Sequence, residues 1–223
     1  MIWFIVLAVM AASGIVQAVL SSKFKQYSKI PNDAGMTGAD VARKMLADNG
    51  LTDVMVTSVE GRLTDHYNPV DKTVNLSADV YSGNSIAAAA VAAHECGHAL
   101  QHAKGYAPLK MRSELVPVVS FSSKYVSWVL LIGVLLVERF PMILWAGIAL
   151  FAVTTLFSFV TLPVEINASS RAVQWLELSH IARAENRDKA VDALKWAAYT
   201  YVIAALGSLA TLLYYISMAS SRR

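Results

Sequence analysis

Three stretches of this chain carry no charge for long enough to reach across a bilayer, and they limit what the remainder can become. No charged side chain occurs from Met1 to Ser22. As a helix rising about 1.5 Å per residue, Met1 to Leu20 covers about 30 Å, the thickness of a hydrocarbon core. Pro141 to Leu162 and Trp196 to Ser217 qualify in the same way, within charge-free runs bounded by Arg139 and Glu165 and by Lys195 and Arg222. A fourth candidate, Leu115 to Val137, is interrupted by Pro117 and Lys124. Its cytoplasmic half is expected either to bury against protein or to let Lys124 snorkel. Of the 223 residues, 56% are apolar and 16% charged, against about 25% charged in an ordinary soluble domain. That composition excludes a plain soluble enzyme. The net charge of +3 is too small to suggest a nucleic-acid partner, and a single cysteine, Cys96, excludes an internal disulfide.

Basic residues orient the spans, since cytoplasmic loops collect Lys and Arg. Ten lie between Lys23 and Arg112 and five between Arg171 and Lys195, whereas Arg139, Arg222 and Arg223 fall on the other side. Both large loops are therefore expected in the cytoplasm and both termini outside. Lys23, Lys25 and Lys29 follow the first apolar stretch, which favours an uncleaved anchor over a signal peptide. The expected organisation is spans at 1–20, 115–137, 141–162 and 196–217, with a cytoplasmic α+β region at 21–114 and a cytoplasmic helical segment at 163–195.

Within the first loop, Thr37 can cap a helix over Gly38 to Asp48 that stops at Asn49-Gly50. Asp53 to Val59 and Thr73 to Ser77 have strand character around a turn expected at Tyr67-Asn68-Pro69. The loop Ser82-Gly83-Asn84-Ser85 precedes a helix from Ile86 to about Ala103, stopped by Gly105, whose opening alanines favour helix and permit close packing.

That helix contains His94-Glu95-Cys96-Gly97-His98, an H-E-x-x-H match. Residues four apart stack on one helix face, so both imidazoles can reach one Zn²⁺, and the carboxylate between them falls beside the water such an ion activates. A hydrolytic zinc needs a third protein ligand and an open position. The extended pattern H-E-x-x-H-x-x-G-x-x-H is excluded, because Gln101 and Lys104 occupy its last two fixed positions. His102 lies about 12 Å along the helix from His94, too far to share the ion. Glu165 follows the third span, and two crossings return it to the side of the histidines. It is the preferred ligand, with Glu114 and Glu177 in reserve. Cys96 points about 200° away from His94 and reads as packing, and His180 reads as a solvated residue.

Four segments carry a family resemblance: Thr64-Asp65-His66-Tyr67-Asn68-Pro69, Asn75-Leu76-Ser77, His94 to His102, and Leu162-Pro163-Val164-Glu165 with Ala168-Ser169. On these the chain resembles the YugP-like zinc metallopeptidases of bacterial membranes, which are distantly similar to the HtpX-like gluzincins. The resemblance implies a mainly α integral membrane protein, a four-span helical bundle with a small cytoplasmic α+β unit of zincin type in the bacterial inner membrane. It implies a zinc endopeptidase with the metal on His94, His98 and Glu165 and with Glu95 as catalytic base. Asn68 and Asn167 stand where the resemblance implies aspartates in close relatives, and Ser169 stands where it implies, in the wider gluzincins, an aspartate that orients a zinc histidine. Candidates to stabilise an oxyanion are His66, Tyr67, Tyr81 and Arg171, with His66 placed first. A peptide or membrane-protein substrate is expected, and the strand Thr73 to Ser77 is a candidate free edge for it, unless a neighbouring loop covers it. The alternative from another class is a membrane scaffold or regulator in which zinc is structural. A transporter is disfavoured by spans almost without ionisable residues.

Overall fold

The computed structural model describes residues 2–61 and 63–221; Met1, Arg62, Arg222 and Arg223, which enter the first span and the charge balance above, lie outside the described residues. In chain order the elements are α1 (Ile2–Tyr27), α2 (Gly38–Asp48), β1 (Met55–Val59), β2 (His66–Asn68), β3 (Thr73–Ser77), α3 (Ala78–Ser82), α4 (Ile86–Ala103), α5 (Ala107–Leu135), α6 (Pro141–Leu178) and α7 (Ala184–Ser220). They form two units. One comprises Met1–Ile15, Pro108–Pro163 and Thr200–Arg223, and the other Val16–Ala107 and Val164–Tyr199.

The first unit is helical and apolar. The helices α1, α5, α6 and α7, to which it contributes, are each long and apolar enough to cross a membrane. Its interior gathers Val126, Leu130, Leu144 and Ile148, while Trp3, Phe4, Trp128 and Leu206 remain exposed, as side chains facing hydrocarbon would be. Helix α5 runs unbroken through Pro117. Lys124 is exposed and lies 5.4 Å from the ring centre of Tyr125.

The second unit is built around α4. Thr37 accepts from the backbone N–H of Asp40 while the Asp40 carboxylate takes the N–H of Thr37, a reciprocal cap that starts α2 where the sequence placed it. Ser85 caps α4 by accepting from the Ala88 N–H. At the other end Gly105 adopts φ +60°, a conformation that suits glycine and ends the helix.

The three strands form one sheet in the order β1-β3-β2, with β1 parallel and β2 antiparallel to β3. Two expectations are corrected here. Tyr67 and Asn68 belong to a strand rather than a turn, and the reversal comes after them, where Asn68 Oδ1 accepts from the N–H groups of Val70 and Asp71. Thr73 to Ser77 is the central strand and has no free edge; the outer strands are β1 and β2.

Alternation along β3 divides the sheet into two faces. Val74 and Leu76 are fully buried in a core with Val41, Met45, Ile86 and the alanines of α4. Asn75 faces the other way, between Thr57 Oγ1 at 2.7 Å and the His66 ring at 3.2 Å.

The small side chains of α4 also admit α6. A Cβ placed on Gly97 would lie 2.7 Å from the carbonyl oxygen of Ala168 and 3.0 Å from its Cα. The neighbour is backbone and has no rotamer with which to yield. Gly97→Val is therefore expected to destabilise the protein by about 1–3 kcal/mol through overpacking. Denaturant unfolding in detergent measures this, and unaltered stability would show that α4 and α6 are not in close register at this point.

Candidate metal centre

Four residues of the second unit converge from two elements. His94 and His98 project from one face of α4, Glu165 comes from α6, and Glu95 stands beside the histidines on α4. Glu165 Oε2 lies 3.3 Å from His94 Nε2 and 3.6 Å from His98 Nε2. The three donor atoms fall within 4.8 Å of one another. Bonds of about 2.0–2.1 Å to a tetrahedral Zn²⁺ place ligand atoms roughly 3.3 Å apart, so the two histidine–carboxylate separations fit such an ion, and the mixed N and O set fits its chemistry.

The far side of each imidazole is also held. His94 Nδ1 is 3.1 Å from Ser169 Oγ, and His98 Nδ1 is 3.0 Å from Gln101 Oε1. A ring that donates through Nδ1 presents its Nε2 lone pair to a metal. Ser169 is thus a neutral partner behind the His94 ring.

Glu165 is 3% exposed. Burial alone would raise its pKa, but the hydrogen bonds and charges of His94 and His98 outweigh burial and hold the carboxyl well below the usual carboxylate range. Glu165 is thereby kept anionic, the form a metal requires.

Glu95 is 9% exposed, and its Oε2 accepts the backbone N–H of Tyr67 at 3.1 Å. That N–H belongs to the edge of β2 that β3 leaves unpaired. The same residue reaches along α4 with its side chain, its phenol oxygen lying 2.9 Å from His102 Nδ1. Tyr67 therefore spans from the carboxylate of Glu95 to the end of the helix.

The remaining candidates are held elsewhere. His66 lies with Asn75 on the sheet face turned away from the α4 core. Its Nδ1 donates to the Thr64 carbonyl at 2.7 Å and its Nε2 meets Asn75 Nδ2 at 3.2 Å, so both ring nitrogens are engaged away from the donor cluster. Tyr81 accepts from Arg43 at 2.7 Å, and Arg171 donates to Asn167 Oδ1 at 2.7 Å. Of the reserve ligands, Glu177 pairs with Arg187 at 2.7 Å, and Glu114 stands 3.9 Å from Lys110. Cys96 is fully buried with Sγ 3.6 Å from the Ala42 carbonyl, and burial pushes its thiol pKa far up. His180 is exposed in a turn.

Sequence reasoning passed over Gln101 except as the residue that breaks an extended zinc pattern. The available signal was its spacing: a residue three positions beyond a helical histidine lies beside that ring.

Residues 2–220 match the family described as "Putative neutral zinc metallopeptidase". The chain is also 44% identical over 213 residues to the "Putative membrane protease YugP" of Bacillus subtilis, covering 96% of this chain and 94% of that protein. No solved structure matches significantly. The family's cofactor is Zn²⁺, and His94, His98 and Glu165 are the cluster suited to it. The match over nearly the whole length, together with four membrane-length helices, establishes that this chain is a multi-pass membrane protein and a member of that zinc metallopeptidase family.

Proposed function

We propose that this protein is a zinc-dependent endopeptidase of the bacterial inner membrane that hydrolyses peptide bonds of membrane or membrane-adjacent proteins at the cytoplasmic face. One observation carries the chemistry. Two imidazole nitrogens lie 3.3 and 3.6 Å from a buried carboxylate, separations that suit a tetrahedral zinc, beside a second carboxylate, Glu95, that is not among the three donors. The description of the Bacillus subtilis relative as a membrane protease supports the same activity.

His94, His98 and Glu165 hold the zinc, and the region 21–114 with the segment 163–195 forms a zincin-type unit. When bound, zinc supplies the Lewis acidity that activates water and polarises a peptide carbonyl. Glu95 acts as the base. The Tyr67 N–H occupies its Oε2, which steers the carboxylate while leaving Oε1 to accept a proton from the attacking water. Glu95 then returns that proton to the departing amine nitrogen.

The peptide lies extended along the outer edge of β2, the edge that faces Glu95, where backbone hydrogen bonds align it without regard to its side chains. Glu165 is three residues beyond the span 141–162, so the scissile bond is cut near the bilayer surface. The spans at 1–20, 115–137, 141–162 and 196–217, with both termini external, put the unit on the cytoplasmic side. A purely structural zinc would want a fourth protein ligand. Among the described residues the cluster has three members, and Cys96 is packed against α2 instead.

Glu95→Gln is expected to retain zinc while cleavage of a casein or membrane-protein substrate falls by about 10²–10⁴-fold; undiminished cleavage refutes the assignment of the base. Zinc affinity has a predictable pH dependence. Burial pulls the His98 pKa down, but its hydrogen bond to Glu165 and the charges of Glu95 and Glu165 win and raise it above 6.5. Because a metal-bound imidazole must shed its proton, zinc affinity should fall as pH drops through that raised value. Chelator competition across pH 5.5–8.5 measures it, and a flat profile counts against His98 as ligand. For orientation, Val70→Cys, at an exposed loop position, should react in intact cells with a membrane-permeant maleimide and not with an impermeant one.

A further inference from the structure

The side chain of Gln101 is completely buried, and its donors and acceptor are all spoken for. Its Oε1 lies 3.0 Å from His98 Nδ1. Its Nε2 donates to the carbonyl of Val164 at 2.7 Å and to Asn167 Oδ1 at 3.1 Å. Asn167 Oδ1 in turn accepts from Arg171 Nε at 2.7 Å. The row runs from the α4 histidine, through one amide, to the turns of α6 on both sides of Glu165.

Hydrogen-bond polarity fixes the sense of the row. A guanidinium only donates, so the atom of Asn167 facing Arg171 is the carbonyl oxygen. Two carbonyl oxygens, those of Val164 and Asn167, therefore face the Gln101 amide and require its NH₂ group. That orientation turns Oε1 toward His98. An oxygen only accepts, so His98 must carry its proton on Nδ1 and offer the lone pair of Nε2 to the metal. The Val164 backbone carbonyl, and with it the Asn167 oxygen oriented by Arg171, thus specify the tautomer of the His98 imidazole.

We propose that Gln101 is a positioning residue for the zinc site, locking His98 in the Nδ1–H tautomer and tying it in register to the α6 turn that carries Glu165, with Asn167 and Arg171 setting the direction of the lock. This rests on the ligand set proposed above. The lock differs from the contact between Ser169 and His94, which joins one helix to the other through a single hydroxyl that can donate or accept. Gln101 leaves no such choice.

The test is zinc affinity, measured on full-length protein in detergent by competition with a chromophoric chelator, alongside the melting temperature of the metal-free protein. Gln101→Met keeps volume and apolar fit but removes every hydrogen bond of the row. It is expected to weaken zinc binding by about 10–100-fold, the range for loss of a partner behind a metal-binding histidine, while metal-free melting stays within a few degrees of the parent. Zinc affinity equal to the parent's overturns the proposal, and so does a fall in metal-free melting with affinity intact, which marks a packing role only.

If Gln101→Met does not fold, the pair at position 167 decides. Asn167→Asp preserves the oxygen that both neighbours donate to and should bind zinc within about threefold of the parent. Asn167→Leu removes it and should bind several-fold more weakly; equal affinities in the two overturn the lock. His98→Ala separates the two layers of inference. Parent-like zinc binding in that variant defeats the ligand set itself, whereas its loss with Gln101→Met unaffected defeats only the lock.

Discussion

A carboxylate buried beside two imidazoles is the constraint around which the second unit is organised. Removing the Glu165 charge from water is costly unless it is paired and hydrogen-bonded, and the pair of Nε2 atoms on α4 offers such compensation. Helix α6 must therefore lie close to α4 and in one register. The sequence of α4 permits this through small residues. At Gly97 the absence of a side chain lets the α6 backbone at Ala168 come close, where a Cβ would lie 2.7 Å from its carbonyl oxygen. The helix that supplies the histidines also supplies the clearance for their third partner.

Packing and chemistry share the same few residues. Val74 and Leu76 bury the inner face of the sheet against α4, which sets β2 at a height where the Tyr67 amide meets Glu95. Cys96, one position from that carboxylate, is turned about 100° round the helix and meets α2 at the Ala42 carbonyl. Neighbouring residues on one turn thus serve either the hydrophobic core or the polar site, according to the 100° each step adds around the helix axis.

Local signals were legible in the sequence. The Thr37 cap, the alanine-rich helix and its glycine stop depend on neighbours within four residues, and they lie where they were expected. The charge-free runs depend on composition alone, and they coincide with helices of membrane length. Glu165 required a longer step, the parity of two crossings, and the structure brings it to the histidines. Strand pairing was less legible. A proline after Tyr67-Asn68 reads as a turn, because nothing local reveals that β3 waits on the other side of the loop. For the same reason β3 was taken as a possible edge, although β1 joins it by parallel pairing from eighteen residues upstream. His66 has the chemistry of an active-site residue, and its strand parity sets it beside Asn75, which nothing in the local sequence reveals. Gln101 was discounted because a pattern demanded glycine there, whereas its value comes from partners more than sixty residues away.

The order of the ligands along the chain bears on how the protein is made. His94 and His98 are synthesised before α5 and α6, and Glu165 only once the apolar first part of α6 has been made. A growing chain thus owns two donors and no complete cage until its central membrane segments have emerged from the ribosome. A product truncated before Glu165 would keep the two histidines and lack the carboxylate that meets them, so the three-donor cluster is a property of chains extended past the central apolar helices.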